Sequence, residues 1–176
     1  MATLFDNQIQ NRNFLSPIGF RFTLSKRPKV NFFCNYSRIP EISLGTAIQT
    51  NYLRDLDVPG EKLSYGDFSL RFLIDENLEN YLEIHNWLRG LGFPEKFDEF
   101  SSLNKDQYGL VNEANQFSDG TLHILNSNYN AVARVKFVDL FPISLSSLDF
   151  EAAVGEVDYL TAEVTFKYTI YDIGTV

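Results

Sequence analysis

Cysteine is almost absent from this chain of 176 residues, because Cys34 is the only one. A single thiol excludes a disulfide within the chain and favours a reducing compartment. No apolar run approaches the roughly 20 residues that a membrane-spanning helix needs. Residues 1–13, MATLFDNQIQNRN, contain no basic region followed by an apolar one. We therefore expect a soluble intracellular chain that has no signal peptide and does not bind a membrane.

Positive charge is also scarce, since 15 Lys and Arg residues stand against 23 Asp and Glu residues and the formal net charge is −8. Proteins that grip nucleic acid need clustered Lys and Arg side chains against the phosphates. The composition therefore argues against a nucleic-acid-binding protein, and no sequence-specific DNA contact is expected. An acidic surface remains compatible with nucleic acid that passes without sticking.

Motifs for catalysis and metal binding are missing too. The chain contains no GxGxxG, GxxxxGK[ST] or GxSxG pattern. The spacing of Cys34, His85 and His123 does not resemble a zinc site, and His85 is expected in the apolar stripe of a helix. Asp75 and Glu76 could bind a metal or act as acid and base, but helix capping explains both carboxylates. We therefore expect no enzyme, no metal and no cofactor.

The chain is rich in aromatic residues, with 16 Phe and 9 Tyr, and many of them lie in segments that alternate apolar and polar residues. Such alternation is typical of strands that bury one face. Two strands, at residues 20–24 and 30–36, are predicted to pair as a hairpin. The other predicted extended segments are 46–56, 67–74, 121–125, 131–140, 143–150 and 161–171.

Residues 58–92 contain a turn, a strand and a helix in immediate succession. Pro59-Gly60 predicts a tight turn, and the following strand is predicted to place its alternate apolar residues on one face. Asp75 or Asn77 is predicted to cap a helix at about residues 76–90. The residues expected in the core are Phe68, Leu70, Phe72, Ile74, Leu78, Tyr81, Leu82, Leu88, Val164, Phe166 and Tyr168.

This inventory of six to eight strands and one helix predicts a mainly β (α+β) fold. The expected architecture is an antiparallel β-sandwich or barrel with one flanking α-helix. The length favours a single domain, placed at residues 18–176 after an N-terminal arm at residues 1–17. Residues 93–119 are polar and weakly periodic, so we expect a long surface loop or insertion there.

Several groups of residues form a recognisable order along the chain. Pro59-Gly60 is followed by Tyr65-Gly66-Asp67-Phe68-Ser69-Leu70-Arg71-Phe72, by Asp75-Glu76 and by Trp87. The C-terminal half adds Phe137-Val138-Asp139-Leu140-Phe141-Pro142 and the strands at residues 145–150 and 161–171. In this order they resemble the tail tube proteins of T4-like contractile phages, over residues 18–92 and 120–172.

The resemblance implies a structural virion protein whose protomers assemble as a sixfold ring. Neighbouring protomers would join their strands around a lumen that DNA crosses in transit, and the rings would stack into a tube. The implied partners are further copies of the chain and adjacent tail tube, baseplate or sheath proteins, in a virion tail assembled in the host cytoplasm. Residues 46–65 correspond to a hairpin or loop that contacts the adjacent ring. The contact residues expected on that basis are Asn51, Tyr52, Arg54, Pro59, Gly60, Glu61 and Lys62.

Several alternatives stay open. The same fold recurs in baseplate initiators and tube terminators, so the resemblance does not give a position along the tail. It also recurs in the tubes of type VI secretion and related contractile injection systems. A protein of a different class, a monomeric β-sandwich binding module, would hold a ligand beneath the loop at residues 93–119.

Overall fold

The computed structural model describes residues 14–26, 34–92, 94–105, 116–151 and 159–175. Within these ranges the chain forms nine strands and two helices, and every strand pair is antiparallel. The mainly β fold with antiparallel sheets is therefore confirmed, although six to eight strands and one helix were expected. The elements are β1 (Phe20–Leu24), β2 (Cys34–Ser37), β3 (Ile42–Gln49), β4 (Leu56–Tyr65), β5 (Phe68–Leu73), α1 (Glu79–Gly92), α2 (Phe97–Asn104), β6 (Ser118–Leu125), β7 (Ala131–Leu145), β8 (Thr161–Lys167) and β9 (Ile170–Thr175).

Seven of the strands form two sheets that share one long strand. Sheet A has the order β1-β6-β7-β9, and sheet B has the order β7-β8-β5-β2. The first part of β7 pairs with β9 at residues 133–138, and its last part pairs with β8 at residues 141–145. Strands β8 and β9 therefore follow each other along β7. Strand β7 belongs to both sheets, and the chain of β8 and β9 beside it passes from sheet B into sheet A.

The bend between the sheets lies at Asp139, which has a positive φ of 56°. The Thr169 N–H donates to the Val138 carbonyl across the bend at 3.0 Å. Pro142 does not end the strand, as the Phe-Pro pair had suggested, but is buried inside β7 opposite Phe166. A register irregularity follows it, and bulges are among the few strand positions that accept proline. The separate strand predicted at residues 143–150 is therefore wrong.

The two sheets enclose a core of aromatic rings with Phe68 at its centre. The Phe68 ring centroid lies 4.4 Å from that of Phe137, 5.3 Å from that of Phe22 and 6.1 Å from that of Phe166. These separations fall in the range where tilted rings attract beyond the burial of their area. The buried hydrophobic residues are Phe22, Leu24, Phe68, Leu70, Phe72, Ile84, Trp87, Leu122, Val135, Phe137, Leu140, Ala162, Val164 and Phe166.

The predicted pairing of the first two strands is wrong. Strand β1 pairs with β6, and β2 pairs with β5 in the other sheet. Alternation predicts which face of a strand is buried, but it does not identify the strand with which it pairs. Residues 30–33 of the predicted second strand and residues 1–13 of the predicted arm lie outside the described residues.

Helix α1 begins at Glu79, three residues later than predicted. The residue before it, Leu78, has a positive φ of 59° and is half-buried, so Asp75 and Asn77 do not stand at the cap position. The buried Asn80 side chain instead ties the helix to the end of β5 by donating to the Leu73 carbonyl at 2.8 Å.

The helix packs through a different side from the one predicted. Ile84 and Trp87 are buried, whereas Leu82 exposes 47% of its surface and His85 is exposed. Each residue turns an α-helix by about 100°, so Leu82 lies roughly opposite Ile84. The expected core positions of Leu82 and His85 are therefore wrong. Of the other residues expected in the core, those packed partly buried against it are Ile74, Tyr81, Leu88 and Tyr168.

The segment predicted as a long loop contains helix α2 and the start of β6. Arg89 of α1 holds α2, because its guanidinium donates to Glu99 at 2.8 Å and contacts Glu95 at 2.9 Å. Gly90 allows the close approach, since a Cβ there would lie 3.0 Å from the Leu103 Cβ. Neither described helix is long and apolar enough to cross a membrane.

Candidate assembly surface

Strands β3 and β4 form a hairpin that pairs with neither sheet A nor sheet B. Its register runs from Ile42 opposite Tyr65 at the base to Gln49 opposite Leu56 near the tip. Every residue of β3 is exposed. An isolated two-stranded hairpin is at best marginally stable in water, so this element needs a further surface to pack against.

The base of the hairpin is anchored to the domain by tyrosines. The Tyr168 hydroxyl donates to the Gly66 carbonyl at 2.8 Å, and the Tyr171 hydroxyl donates to the Pro40 carbonyl at 3.2 Å. The Tyr65 ring packs edge-on against Tyr171 at 5.5 Å. Burial, with smaller contributions from Tyr171 and Asp67, raises the pKa of Tyr168 to about 12. Its hydroxyl therefore keeps the donated proton throughout the neutral range.

Pro59 and Gly60 lie inside β4 and do not form the predicted turn. Leu44 pairs with Leu63 and Thr46 pairs with Pro59, so residues 60–62 bulge opposite Gly45. A side chain at residue 60 would overlap the Gly45 carbonyl, which explains why glycine is needed there. The tight-turn prediction is wrong because the proline lies in a bulged edge strand, where it is also tolerated.

The turn of the hairpin lies at residues 50–55, which we call the tip. Tyr52 is 100% exposed and Leu53 is 93% exposed. Two adjacent large apolar side chains that are almost fully exposed make the tip a candidate surface for association. Arg54, Asp55 and Asp57 follow them on the exposed chain, so charged side chains of both signs come after the apolar pair.

The residues expected to contact a neighbour fall in two places on this hairpin. Asn51, Tyr52 and Arg54 lie in the tip, where the Asn51 side chain accepts from the Tyr52 N–H at 2.7 Å. Pro59, Gly60, Glu61 and Lys62 lie in or beside the bulge, and both charged residues among them are exposed.

Sequence reasoning missed Leu53, and it missed the row of apolar residues on one face of the hairpin. Directly paired residues share a face, so this row contains Ile42, Leu44, Ile48 and Leu63. All four are exposed. A signal for them exists in the sequence, because the segment alternates like a half-buried strand, although none of the other described strands pairs with the hairpin.

The described residues offer little for chemistry. They contain no group of three or more His, Cys, Asp and Glu side chains that could hold a metal ion. Burial raises the pKa of the Cys34 thiol to about 12. The thiol is therefore protonated at neutral pH, and a protonated thiol is a poor nucleophile and a poor metal ligand.

Comparison with known proteins gives one family and several similar folds. The family described as phage tail tube protein matches residues 3–174. The tube-terminating cap of the anti-feeding prophage superposes with a TM-score of 0.67 at 16% identity, covering 100% of both chains. A chain of the PVC sheath–tube complex in the extended state gives 0.60 at 17% identity, covering 94% of each.

A chain of the PVC sheath/tube terminator, also in the extended state, gives a TM-score of 0.60 at 18% identity. The match covers 93% of this chain and 99% of that one. At such identities the likeness establishes a shared fold over almost the full length. A search of curated proteins found no match.

Proposed function

Because this chain belongs to the phage tail tube protein family, we propose that it is a structural subunit of a contractile tail, a protomer of sixfold rings that stack into a tube or close one of its ends. The tube conducts DNA during ejection and makes no sequence-specific contact with it. The rings belong to the virion tail after assembly in the host cytoplasm. The observation that carries the proposal is the β3–β4 hairpin, which leaves the domain and exposes its apolar residues.

Sheet edges support ring formation. Among the described residues, β1 and β9 lie at the two edges of sheet A, and β2 lies at an edge of sheet B. Unpaired edges invite uncontrolled association. A ring would join these edges to neighbouring protomers through a contact between two different surfaces. Such a contact gives a closed ring when the rotation from one protomer to the next adds up to a full turn.

The hairpin supports stacking. Among the described residues, Tyr65, Tyr168 and Tyr171 hold the base of the hairpin. Burying its apolar residues against an adjacent ring would stabilise the hairpin and the tube together, at roughly 25 cal/mol for each Å² of apolar surface removed from water. The protomer would also contact adjacent tail tube, baseplate or sheath proteins at the ends and along the outside of the tube.

The unexpected helix α2 bears on the position along the tail. It packs on α1 through Arg89 and Leu103 and adds a surface beyond the two sheets. Such an added surface suits a ring that meets a non-identical partner, as an initiator or a terminator does. A tube of a related contractile injection system is the second assignment, and the shared fold suits it equally.

A monomeric binding module is the alternative from another class. The place for its ligand is the cavity between α1 and α2, of about 620 Å³, lined by Lys26, Asn86, Arg89, Leu103 and Lys105 among others. Arg89 is already paired with Glu95 and Glu99 there, so its charge is partly satisfied. A small molecule that raised the melting temperature of a stable monomer would favour this alternative.

Electron microscopy of the purified protein tests the proposal. We expect sixfold rings in negative stain, and stacks of rings at high protein concentration. The double variant Tyr52→Asp/Leu53→Asp should keep single rings and lose stacking, because two carboxylates replace the apolar tip. Phe150→Asp is the matched control, since Phe150 is 75% exposed outside the hairpin. A protein that stays monomeric at high concentration and is missing from purified particles contradicts the proposal.

A further inference from the structure

We infer that the hairpin tip of one copy inserts into a groove at the far end of sheet A of a second copy. The inference rests on the proposed stacking of rings and names the surface that receives the tip. The groove has a volume of about 380 Å³ and is lined chiefly by Ile18, Phe20, Arg21, Cys34, Leu125 and Tyr129.

The groove is apolar and open. It lies where the edge strands β1 and β2 approach each other, since Phe20 belongs to β1 and Cys34 is the first residue of β2. Tyr129 forms its rim and is 73% exposed. The β6–β7 turn holds this rim in place, because the Asn126 side chain accepts from the backbone N–H groups of Asn128 and Asn130 at 2.9 and 3.0 Å.

The occupant that fits this groove is present on the same chain. Tyr52 and Leu53 are an aromatic and an aliphatic side chain, almost fully exposed, at the end of an anchored hairpin. An apolar cleft lined by aromatic and aliphatic side chains is the kind of site that takes such anchors. A knob and a cleft on different parts of one chain form a contact that repeats from copy to copy.

Tip and groove are attached at opposite ends of sheet A. The groove lies where Leu125 pairs with Ala131, at the start of β7. The hairpin base is held by Tyr171, which pairs with Phe137 six residues further along β7. At about 3.3 Å per residue this separates the two places by roughly 20 Å. A head-to-tail contact between them produces an open stack, as a tube requires.

The charges beside the groove and near the hairpin tip are partly complementary. Arg21 lines the groove and pairs across the sheet with His123, which pairs with Arg134. Directly paired residues share a face, so Arg21 and Arg134 belong to one row, on the face of sheet A opposite the side chains of Phe20 and Phe22. Neither arginine is part of the ion pairs found among the described residues. Asp55 and Asp57, at and beyond the end of the tip, are opposite in charge to Arg21, whereas Arg54 within the tip has the same charge as Arg21.

Disulfide trapping between copies tests this contact. In a Cys34→Ala background, a Tyr52→Cys variant and a Tyr129→Cys variant are mixed in equal amounts, allowed to assemble and oxidised. We expect a cross-linked dimer of the two variants to form at least tenfold faster than in a mixture of Tyr52→Cys with Phe150→Cys. The second mixture is the matched control, because Phe150 and Tyr129 are similarly exposed.

The outcomes separate this inference from the proposed function. Equal cross-linking rates in the two mixtures, or no cross-link in stacks that microscopy shows to be intact, overturn the groove contact and leave the tube assignment standing. A protein that forms neither rings nor stacks overturns both. If Tyr52→Cys impairs stacking, Leu53→Cys replaces it with the same expected preference for Tyr129→Cys.

Discussion

Leu82 and Ile84, on roughly opposite sides of helix α1, give a direct test of how the helix packs. We expect Ile84→Ala to destabilise the protomer far more than Leu82→Ala. Ile84 is 0% exposed, so truncation leaves a cavity and should cost about 2–5 kcal/mol of unfolding free energy. Leu82 is 47% exposed, and burying a whole leucine is worth about 1.5–3 kcal/mol, so its loss should cost about 1 kcal/mol or less.

Urea unfolding followed by far-ultraviolet circular dichroism measures the difference. With an m-value of about 2 kcal/mol/M, a loss of 3 kcal/mol lowers the midpoint by roughly 1.5 M without changing m. The comparison uses the Tyr52→Asp/Leu53→Asp background, so that stacking does not add to apparent stability, and it holds the protein concentration fixed because single rings still form. Equal midpoint shifts, or a larger one for Leu82→Ala, would refute the orientation of the helix described above.

Three further predictions concern the hairpin, the tryptophan and high pH. Gly60→Ala should weaken stacking, because its Cβ would overlap the Gly45 carbonyl. Gly45→Ala should stack normally, because the nearest atom to a Cβ at that position is 3.7 Å away. Sedimentation of assembled material compares the two variants, and equal pelleting would contradict the bulge. Trp87→Phe should lower the unfolding free energy by about 1 kcal/mol, because it removes the indole hydrogen bond to the Gln116 carbonyl at 2.9 Å, and by a further amount because the ring is smaller. Thermal unfolding measures the loss, and an unchanged melting temperature would show that the bond contributes nothing. The contribution of Cys34 and Tyr168 to stability should be constant below about pH 8 and then fall, because their pKa values rise on folding from 9.0 and 10.0 to about 12, so the unfolded chain releases these protons first. Tyr168→Phe should remove part of this fall in urea titrations between pH 9 and 12, and an identical pH profile would contradict the assignment.

Faces of strands were predictable wherever alternation was strict. In β5 and β8 every second residue is apolar, and the buried residues Phe68, Leu70, Val164 and Phe166 follow that alternation. The period of a strand is exactly two residues, so one correct assignment places the rest. The resemblance to tail tube proteins rests on these same strands.

Partners, bulges and short helices were not predictable in this way. The pairing of β1 with β6 joins residues about a hundred positions apart in the sequence, and no local signal encodes it. Pro59-Gly60 carries a turn signal that also suits a bulge. Helix α2 has only eight residues and is held by Arg89 from another helix, and a helix this short is marginal without such tertiary contacts.

The sequence itself predicts an extended segment at residues 46–56, whereas the contact of this region with a neighbour was implied by the resemblance. The alternating apolar residues of the hairpin predict a strand with a buried face, but the sequence does not say that this face lies outside the domain. Tyr52 and Leu53 became recognisable as a pair once their exposure was known. The groove that we assign to them combines residues from β1, β2 and the β6–β7 turn, and only the folded sheet brings these together.

The strands shared by both sheets also determine how the protomer carries mechanical load. Tyr168 and Tyr171, which anchor the hairpin base, lie at the junction of β8 and β9, beside the bend in β7. A force applied to the hairpin therefore reaches both sheets, because β7 belongs to both and two residues, Tyr168 and Thr169, separate β8 from β9. We expect sheets A and B to resist tension as one body and to exchange their amide hydrogens in one cooperative event.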